Sequence, residues 1–325
     1  MRIYVTGAAG FIGSVVCRRL RSQGVDVVAV VRDPERAGPL REIGCEVRFG
    51  DLTSPEALTG GMRGCDGVIH LAGMYRVGIA NSERSAMYDA NVGATHRVLQ
   101  AAIVAGVPRI VHVSSAIVLG DTQGRIVDEN HRRDVNRGFF SYYDETKYLA
   151  HGTARELIAS GAPILIAMPG NVYGPGDNSG VGRQLKLAFE GRARYVALGD
   201  MGISLAHVED VAAGILATLE QGRLGESYLL AGPNLRMREL METAARVGGH
   251  RLTRLTIPTG LIRFVARLGH PVARALRQPP DLGEIVASGD GRTYWVSSAK
   301  ASLKLGYSPR ELEAGLRDAF GRRPG

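Results

Sequence analysis

The sequence predicts an α/β fold in which a doubly wound parallel sheet carries helices on both faces. Apolar runs of strand length alternate with helix-like segments over the first half of the chain. The runs are apolar almost throughout, as in strands that are buried on both faces. The predicted strands are residues 3–5, 25–31, 47–49, 68–71, 110–113 and 164–168. The predicted helices between them are residues 11–22, 34–43, 55–62, 88–105 and 142–160.

The alternation ends after residue 168, which indicates a second, smaller C-terminal domain. Residues 169–182, "PGNVYGPGDNSGVG", are rich in turn residues and predict a loop over the carboxyl ends of the strands. Residues 207–219 and 236–247 have helical patterns, and residues 228–230 and 294–296 are typical of short strands. We therefore expect residues 1–172, with a returning segment 204–231, to bind a cofactor. Residues 173–325 are expected to form mainly a substrate-binding domain.

The composition excludes several classes of protein. The chain has 325 residues, of which 45% are hydrophobic and 22% charged, as in globular proteins. Cys17, Cys45 and Cys65 are odd in number and lack metal-ligand spacing, which favours a reducing, cytoplasmic location and no metal site. The start "MRIYVTG" enters a strand without a signal-peptide pattern. No apolar run reaches the roughly 18 residues that a membrane span needs.

The formal net charge of +8 does not by itself indicate nucleic-acid binding. The arginines are expected to form general surface charge with a few phosphate ligands, so we predict no nucleic-acid partner. Residues 261–278 are basic and partly amphipathic, and a membrane-surface helix is one interpretation of them. Pro271 interrupts the pattern, and a solvated basic face is favoured.

A glycine motif near the start of the chain predicts a dinucleotide site. In "VTGAAGFIGS", Gly7, Gly10 and Gly13 follow a strand and open a helix, with Phe11 and Ile12 between the last two glycines. Glycines allow a tight turn and let the backbone approach a pyrophosphate, whose negative charge the helix N-terminus favours. The position directly after the first strand is the context that such a motif requires.

The second strand ends in "VVAVVRDP", which favours NADP(H) while leaving NAD(H) open. NAD sites usually present a carboxylate here, whereas this chain has Arg32, and a guanidinium binds a 2′-phosphate bidentately. Asp33 precedes Pro34, and we expect a turn to carry its carboxylate away. Arg36 is a weaker candidate for the same phosphate.

Two further strand ends supply candidate cofactor contacts. Asp51 and Leu52 in "GDLTSP" follow the third strand, where the carboxylate accepts from the adenine amino group and the leucine packs on the ring. In "HLAGMY", we expect the backbone of Leu71, Ala72 and Gly73 to line the cofactor. Ligands of open α/β sheets bind at such carboxyl ends.

A serine, a tyrosine and a lysine converge on the same crevice. Ser115 follows the strand in "IVHVSSAIVLG", and Tyr143 and Lys147 lie one helical turn apart in "SYYDETK". A phenol is a poor base near neutral pH, and a nearby ammonium lowers its pKa. Ser115 can hold a carbonyl oxygen while Tyr143 gives or takes the proton and the nicotinamide carries the hydride. Tyr142 has no lysine at this spacing.

Together these motifs resemble the extended short-chain dehydrogenase/reductases, the NAD-dependent epimerase/dehydratase family. The resemblance covers nearly the whole chain and also rests on "NVGATHRVLQAA", "PGNVYGP" and "AHVEDVAAGIL". It implies a Rossmann-type domain and a homodimer formed through residues 88–105 and 142–160. It further implies that Asn91 supports the active site. Three more residues would lie beside the nicotinamide, namely Pro169, Gly170 and Asn171.

Departures from the family's motifs favour a reductase. Sugar-nucleotide dehydratases have an Asp-Glu pair where this chain has Ala116 and Ile117, and epimerases have a diphosphate-binding arginine where it has Ile203. An isoleucine offers a diphosphate no partner. Four arginines remain possible substitutes: Arg183, Arg192, Arg194 and Arg292.

The sequence "VVRDPER" resembles the NADP-using dihydroflavonol-reductase-like branch, and the C-terminal half resembles the hopanoid-associated sugar epimerases. We therefore expect a carbonyl reductase or alcohol dehydrogenase that acts on a small, mostly apolar molecule. A sugar-nucleotide epimerase is the first alternative, and a non-catalytic NADP-binding sensor is the second. Five residues are candidates to line the substrate pocket: Met74, Tyr75, Phe139, Phe140 and Tyr173.

Overall fold

A computed structural model describes residues 1–267 and 280–321. Within these residues a parallel sheet of seven strands has the order β3-β2-β1-β4-β5-β6-β9. The order reverses direction at β1, as in a doubly wound sheet, so the predicted fold class is confirmed. The strands are β1 Arg2–Thr6, β2 Asp26–Val31, β3 Glu46–Phe49, β4 Gly67–His70, β5 Ile110–Val113, β6 Ile164–Pro169 and β9 Ser227–Leu230.

Helices cover both faces of this sheet. One face packs on α1 Phe11–Ser22, α2 Gly38–Glu42 and α8 Val208–Gln221. The other face packs on α3 Pro55–Met62, α5 Ala94–Val104 and α6 Tyr142–Ala159. Alternate strand residues enter the two cores, so that Ile69 and Val111 face the first set of helices while Val68 and Ile110 face the second.

The predicted helix over residues 88–105 is divided in the structure. α4 spans Arg84–Tyr88, a π-helical turn spans Asp89–Gly93, and α5 follows. Single π turns inside helices are frequent at functional sites. The predicted helix 34–43 likewise divides into a 3₁₀ turn at Pro34–Arg36 and the short α2.

A second, smaller sheet lies in the C-terminal half. β8 Gly202–His207 pairs with β7 Asn171–Tyr173, β10 Asn234–Arg236 and β11 Thr293–Tyr294. Its core is closed by α7 Gly180–Phe189, α9 Met237–Val247 and α13 Leu312–Phe320. The loop predicted over residues 169–182 is therefore wrong in part, because β7 and the start of α7 lie within it.

Three more helices complete the described C-terminal part. They are α10 Thr259–Arg267, α11 Leu282–Gly289 and α12 Ala299–Leu305. Residues 268–278 of the predicted basic amphipathic stretch, including Pro271, lie outside the described residues. Among the helices that the structure describes, none combines the length and the apolar character needed to cross a bilayer.

Candidate active site

The glycine loop between β1 and α1 forms a cradle that side chains would fill. Gly7 has a φ of +70°, and a Cβ there would lie 2.6 Å from the backbone nitrogen of Ala72. A Cβ on Gly13 would lie 2.1 Å from the carbonyl oxygen of Gly7. Gly10 caps α1 without any side chain, and the first turn of the helix carries no acidic residue. The free helix N-terminus and the bare backbone fit the pyrophosphate of a dinucleotide.

The residues that follow β2 are those predicted to set the preference for NADP(H) over NAD(H). Arg32 is exposed and forms no ion pair or hydrogen bond with any described residue. Asp33 is occupied locally, because its carboxylate accepts a hydrogen bond of 3.1 Å from the backbone nitrogen of Glu35. Arg36 donates to the carbonyl oxygen of Ala9 in the glycine loop. Arg36 therefore contacts the cradle, Arg32 follows the neighbouring strand without a partner among the described residues, and the nearby carboxylate caps a turn.

Asp51 and Leu52 lie in a tight turn after β3. The Asp51 carboxylate accepts from Thr53, at 3.1 Å from the backbone and 2.6 Å from the hydroxyl, and these bonds lower its pKa. Leu52 has a φ of +65°. Arg97 of α5 holds this turn by donating to the Leu52 carbonyl at 2.8 Å. A leucine in the left-handed region is strained, and such strain is characteristic of ligand sites.

Asn91 connects the loop after β4 to the helix that carries the tyrosine and lysine. Its side-chain oxygen accepts from the Met74 backbone nitrogen at 2.6 Å, and its amide donates to the Met74 carbonyl at 3.1 Å. The same amide donates to the Thr146 hydroxyl of α6 at 2.9 Å. Asn91 is buried in the π-helical turn, so the turn aims its amide between the two elements. This arrangement supports the positioning role that the family resemblance implied.

The Leu71–Gly73 segment is also fixed to β1. The Thr6 hydroxyl accepts from the backbone nitrogen of Ala72 at 3.4 Å and shares a 2.7 Å hydrogen bond with the Nδ1 atom of His70. A Cβ on Gly73 would lie 3.1 Å from Asn91. The backbone predicted to line a cofactor is therefore held beside the glycine cradle.

Ser115, Tyr143 and Lys147 meet at the carboxyl end of β5. Ser115 caps a 3₁₀ turn, with its hydroxyl accepting from the Ile117 nitrogen at 3.3 Å. Tyr143 lies in the first turn of α6, whose N-cap is Ser141. Lys147 donates from Nζ to the Val113 carbonyl at 3.2 Å. The structure therefore brings the predicted trio together.

Burial shifts the pKa values of Tyr143 and Lys147 in opposite directions. Burial raises the pKa of Tyr143 well above its ordinary value, and this outweighs the lowering effect of the Ser115 hydroxyl. Burial lowers the pKa of Lys147 to about 8. The lowering of the phenol pKa by the ammonium together with the oxidised nicotinamide stays a prediction. A protonated phenol near neutral pH is suited to donate a proton.

Two buried histidines and one half-buried histidine lie around Lys147. His70 and His112 are paired residues of the neighbouring strands β4 and β5, and they stack with ring centroids 5.6 Å apart. His151 of α6 shares a 3.0 Å hydrogen bond with the Ser114 hydroxyl. Burial lowers the pKa of His70 to about 3 and that of His151 to about 4, and it also lowers that of His112. Since all three pKa values are lowered, these imidazoles are neutral near neutral pH and add no charge that competes with Lys147.

A buried ion pair sits directly beside Tyr143. Asp144 accepts from two guanidinium nitrogens of Arg133 at 2.6 and 3.1 Å, and from the Phe140 backbone nitrogen at 3.2 Å. The Arg133 guanidinium lies 4.5 Å from the ring centroid of Phe139. The pair thus fastens the segment before α6 to the first turn of that helix. The sequence did not reveal it, because eleven residues separate the partners in an irregular segment.

Glu284 of α11 is a second residue that the sequence did not reveal. Its carboxylate accepts from the backbone nitrogens of Gly78 and Tyr142 at 2.9 and 3.1 Å, and from Arg84 at 3.1 Å. It thereby ties the C-terminal part to the loop after β4 and to the start of α6. No local pattern could have indicated contacts across 142 and 206 positions.

The aromatic candidates for the substrate pocket divide into two groups. Tyr75 packs edge-to-face on Tyr143, with centroids 4.9 Å apart, and keeps an exposed face. Phe140 lies 4.1 Å from the guanidinium of Arg292. Tyr173 is buried and packs on His207, so it belongs to the core of the smaller domain. A cavity of about 660 Å³ is lined by segments such as Ala231–Leu235 and by none of the trio.

The strand end predicted to border the nicotinamide joins the two sheets. Pro169 ends β6 and Asn171 begins β7, so Gly170 lies between them. A Cβ on Gly170 would lie 2.5 Å from the Ser204 carbonyl oxygen, which explains the glycine. Asn171 is half-buried. These residues lie next to the end of β5, where Ser115 follows.

The arginines considered as diphosphate ligands differ in whether an acidic side chain already pairs with them. Ile203 is buried in the core of the smaller domain. Arg292 pairs with the carboxylate of Asp121 at 3.0 Å, whereas Arg183 and Arg194 are exposed without ion pairs among the described residues. In the same residues, no group of three histidine, cysteine or acidic side chains is arranged to hold a metal ion.

The match to a family model decides the assignment. Residues 3–231 match the model of the NAD dependent epimerase/dehydratase family, which includes the glycine cradle, the trio and β9. The chain belongs to this family. The fold and the glycine cradle described above fit the nicotinamide cofactor of this family. The chain is accordingly an oxidoreductase or an epimerase of the extended short-chain dehydrogenase/reductase type.

Proteins named as reductases and proteins named as epimerases are both similar to this chain. The 4-hydroxy-2-methyl-3-oxo-4-farnesyl-3,4-dihydroquinoline-1-oxide ketoreductase of Stigmatella aurantiaca is 30% identical over 315 residues, covering 95% of this chain and 92% of the relative. The crystal structure of gox2253 has a TM-score of 0.82 at 29% identity, covering 98% and 96% of the two chains. PA4631, a nucleoside-diphosphate-sugar epimerase from Pseudomonas aeruginosa, has a TM-score of 0.75 at 28% identity, with coverage of 98% and 96%.

Proposed function

We propose that this protein is an NADP(H)-dependent carbonyl reductase, or alcohol dehydrogenase in reverse, for a small and mostly apolar molecule. The observation that carries the proposal is the convergence of Ser115, Tyr143 and Lys147 at the carboxyl end of β5, where burial raises the pKa of the Tyr143 phenol. The name of the Stigmatella ketoreductase supports a ketone substrate. The buried Ile203 and the ion-paired Arg292 remove two candidate positions from a diphosphate clamp, and Arg183 and Arg194 are left as candidates for the alternative epimerase.

In this proposal each residue has a distinct role. The cradle formed by Gly7, Gly10 and Gly13 receives the pyrophosphate, and the bound dinucleotide supplies the hydride. Tyr143 donates its proton to the carbonyl oxygen of the substrate, and Ser115 orients that oxygen by a hydrogen bond. Lys147 holds the cofactor ribose next to Tyr143 and supplies positive charge that stabilises the phenolate left after the transfer.

The other predicted contacts complete the cofactor site. Phe11 and Ile12 contribute backbone at the start of α1, and Asn91 keeps the Leu71–Gly73 backbone against the dinucleotide. Asp51 and Leu52 take the adenine end. Pro169, Gly170 and Asn171 at the end of β6 would hold the nicotinamide.

Cofactor preference is the first testable consequence. Replacing Arg32 by glutamate is expected to raise the Kd for NADPH about 10- to 100-fold, because a charge-assisted bond to the 2′-phosphate is replaced by repulsion. The Kd for NADH should change by less than about threefold, since that cofactor lacks the phosphate. Arg63→Glu is the matched control, because Arg63 is also exposed but precedes β4, at the amino ends of the strands, whereas the cradle lies at their carboxyl ends. Equal Kd values of the unmodified protein for NADPH and NADH would refute the preference.

The pH dependence of reduction follows from Lys147. Because its pKa is lowered to about 8, its ammonium is lost as the pH rises through that value. Tyr143 stays protonated over the same range, since its pKa is raised. We expect kcat/KM for ketone reduction to fall above pH 8, as this parameter reports the free enzyme. Lys147→Arg should remove the decline while lowering the overall rate, because arginine remains charged. An unchanged decline in that variant would assign it to another group.

An assay separates the proposed reductase from the two alternatives. NADPH oxidation is measured with a panel of apolar ketones and aldehydes, and in parallel with nucleoside-diphosphate sugars. Turnover of a ketone supports the reductase. Interconversion of a nucleotide sugar without net oxidation supports the epimerase, which the similarity to PA4631 favours. NADPH binding without any turnover on either panel supports a sensor.

The assembly and domain roles are also part of the proposal. Residues 1–172 with 204–231 bind the cofactor, and residues 173–325 mainly bind the substrate. A homodimer forms through the helices at residues 88–105 and 142–160. Exposed apolar side chains on this surface support the dimer, namely Tyr88, Val104 and Leu149.

A further inference from the structure

The positive charge of the chain is concentrated in one stretch. Residues 243–280 contain seven arginines and no aspartate or glutamate. The whole chain has 40 lysines and arginines and 32 acidic residues, so this stretch supplies seven of its eight excess positive charges. This stretch therefore carries an excess of basic residues, whereas basic and acidic residues nearly balance over the remainder of the sequence.

The described part of this stretch also exposes large apolar side chains. On α10, Leu261 and Phe264 are 55% and 60% exposed, and their spacing of three places them on one face. Leu255, just before the helix, is exposed as well. Tyr195 is also exposed. It precedes Val196, which forms a β-bridge with Thr256 of the segment before α10. Large apolar groups gathered on a surface mark an interaction site.

Free arginines flank these apolar groups. Arg251 and Arg254 are exposed and form no ion pair with any described residue. Arg263, between Leu261 and Phe264, is bound by Asp290, yet its side chain remains largely exposed. Apolar groups on one side of a helix with arginines around them are typical of helices that lie in a membrane interface. The long arginine stems can reach the headgroups while the apolar side chains enter the bilayer.

We propose that α10 and the segment 251–258 before it form a docking surface for the headgroup region of an anionic lipid bilayer. The charge decides between the possible occupants. A second copy of this chain in a symmetric contact would oppose the arginines to themselves. A nucleic acid would use the arginines but leave Leu261 and Phe264 without a partner. An anionic lipid surface accepts both kinds of side chain.

The docking surface is close to the proposed active site. α10 packs against α11. From α11, Glu284 binds the backbone nitrogens of Gly78 and Tyr142, and Ser288 donates to the Phe140 carbonyl at 3.2 Å. If the proposed reductase activity is correct, docking would bring its substrate cleft to apolar carbonyl compounds dissolved in the bilayer. The docking itself does not depend on that activity.

Vesicle flotation tests the docking surface. The protein is mixed with vesicles of phosphatidylcholine, or of phosphatidylcholine with phosphatidylglycerol, at low and high salt. We expect binding to the anionic vesicles, weaker at high salt. Phe264→Glu should weaken it about tenfold or more, and Arg251→Gln and Arg254→Gln about fivefold each. Leu303→Glu and Arg223→Gln are the matched controls, because both side chains are highly exposed elsewhere on the protein.

A second measurement remains informative even where a charged variant folds poorly. Trp295 is the single tryptophan, so Phe264→Trp adds one defined reporter. Its fluorescence should be quenched by lipids brominated in the acyl chains, beyond the quenching of the unmodified protein. Tyr143→Phe should bind vesicles normally, which separates docking from catalysis.

Four outcomes would overturn the proposal. They are absence of binding to anionic vesicles, equal binding by Phe264→Glu, no added quenching in Phe264→Trp, and a self-association that Phe264→Glu abolishes. Tighter binding to a DNA duplex than to anionic vesicles, lost in the arginine variants alone, would assign the surface to nucleic acid instead.

Discussion

Tyr143→Phe is expected to lower kcat for ketone reduction about 10²- to 10⁴-fold, the range that a positioned proton donor contributes. The substitution removes one oxygen from a ring that packs on Tyr75, so the packing is retained. The Kd for NADPH should change by less than about threefold, because the cradle around Gly7 and Gly13 is untouched. Stopped-flow measurement of NADPH oxidation, with cofactor binding followed by fluorescence, checks both parts.

The neighbouring tyrosine provides a matched control. Tyr142→Phe removes the same atom one residue earlier, but the Tyr142 ring lies against the Arg84 guanidinium at 5.0 Å and has no lysine at helical spacing. Its kcat should stay within about twofold of the unmodified protein. Intact turnover in Tyr143→Phe, or an equal loss in Tyr142→Phe, would contradict the assignment of the proton donor.

Much of this site could be predicted from the sequence because its chemistry is carried by local spacing. The glycines follow one strand and open one helix, and Tyr143 and Lys147 lie on a single helical turn. Parallel strands bring their carboxyl ends to one edge, so Ser115 could be placed beside them before any coordinates were known. These inferences need only the periodicity of the chain and the direction of the strands.

The remaining features depend on contacts that no periodicity encodes. Glu284 reaches Tyr142 across 142 positions, and the high pKa of Tyr143 follows from the protein packed around it. The lower phenol pKa expected from the ammonium together with the oxidised nicotinamide did not include this burial, which stabilises the neutral phenol. Similarly, the turn residues at 169–182 predicted a loop, whereas pairing with β8 turns Asn171–Tyr173 into a strand. Tertiary context outweighed local propensity there.

The buried ion pair beside Tyr143 is expected to be essential for stability. The Arg133 and Asp144 side chains are only 4% and 1% exposed. Asp144→Ala leaves the guanidinium charge without its carboxylate in a dry environment, which should lower the free energy of unfolding by about 3–5 kcal/mol. It also removes the acceptor for the Phe140 nitrogen. Urea denaturation followed by circular dichroism measures the loss.

A double variant separates the buried charge from ordinary loss of packing. Asp144→Ala combined with Arg133→Met removes both charges, so it should recover part of the stability that the single variant loses. Glu242→Ala, which breaks the exposed pair with Arg238, should cost less than about 1 kcal/mol and serves as the surface control. If the double variant were less stable than Asp144→Ala, the loss would come from packing around Arg133 over Phe139. The ion pair would then not be what holds the segment before α6 against Tyr143.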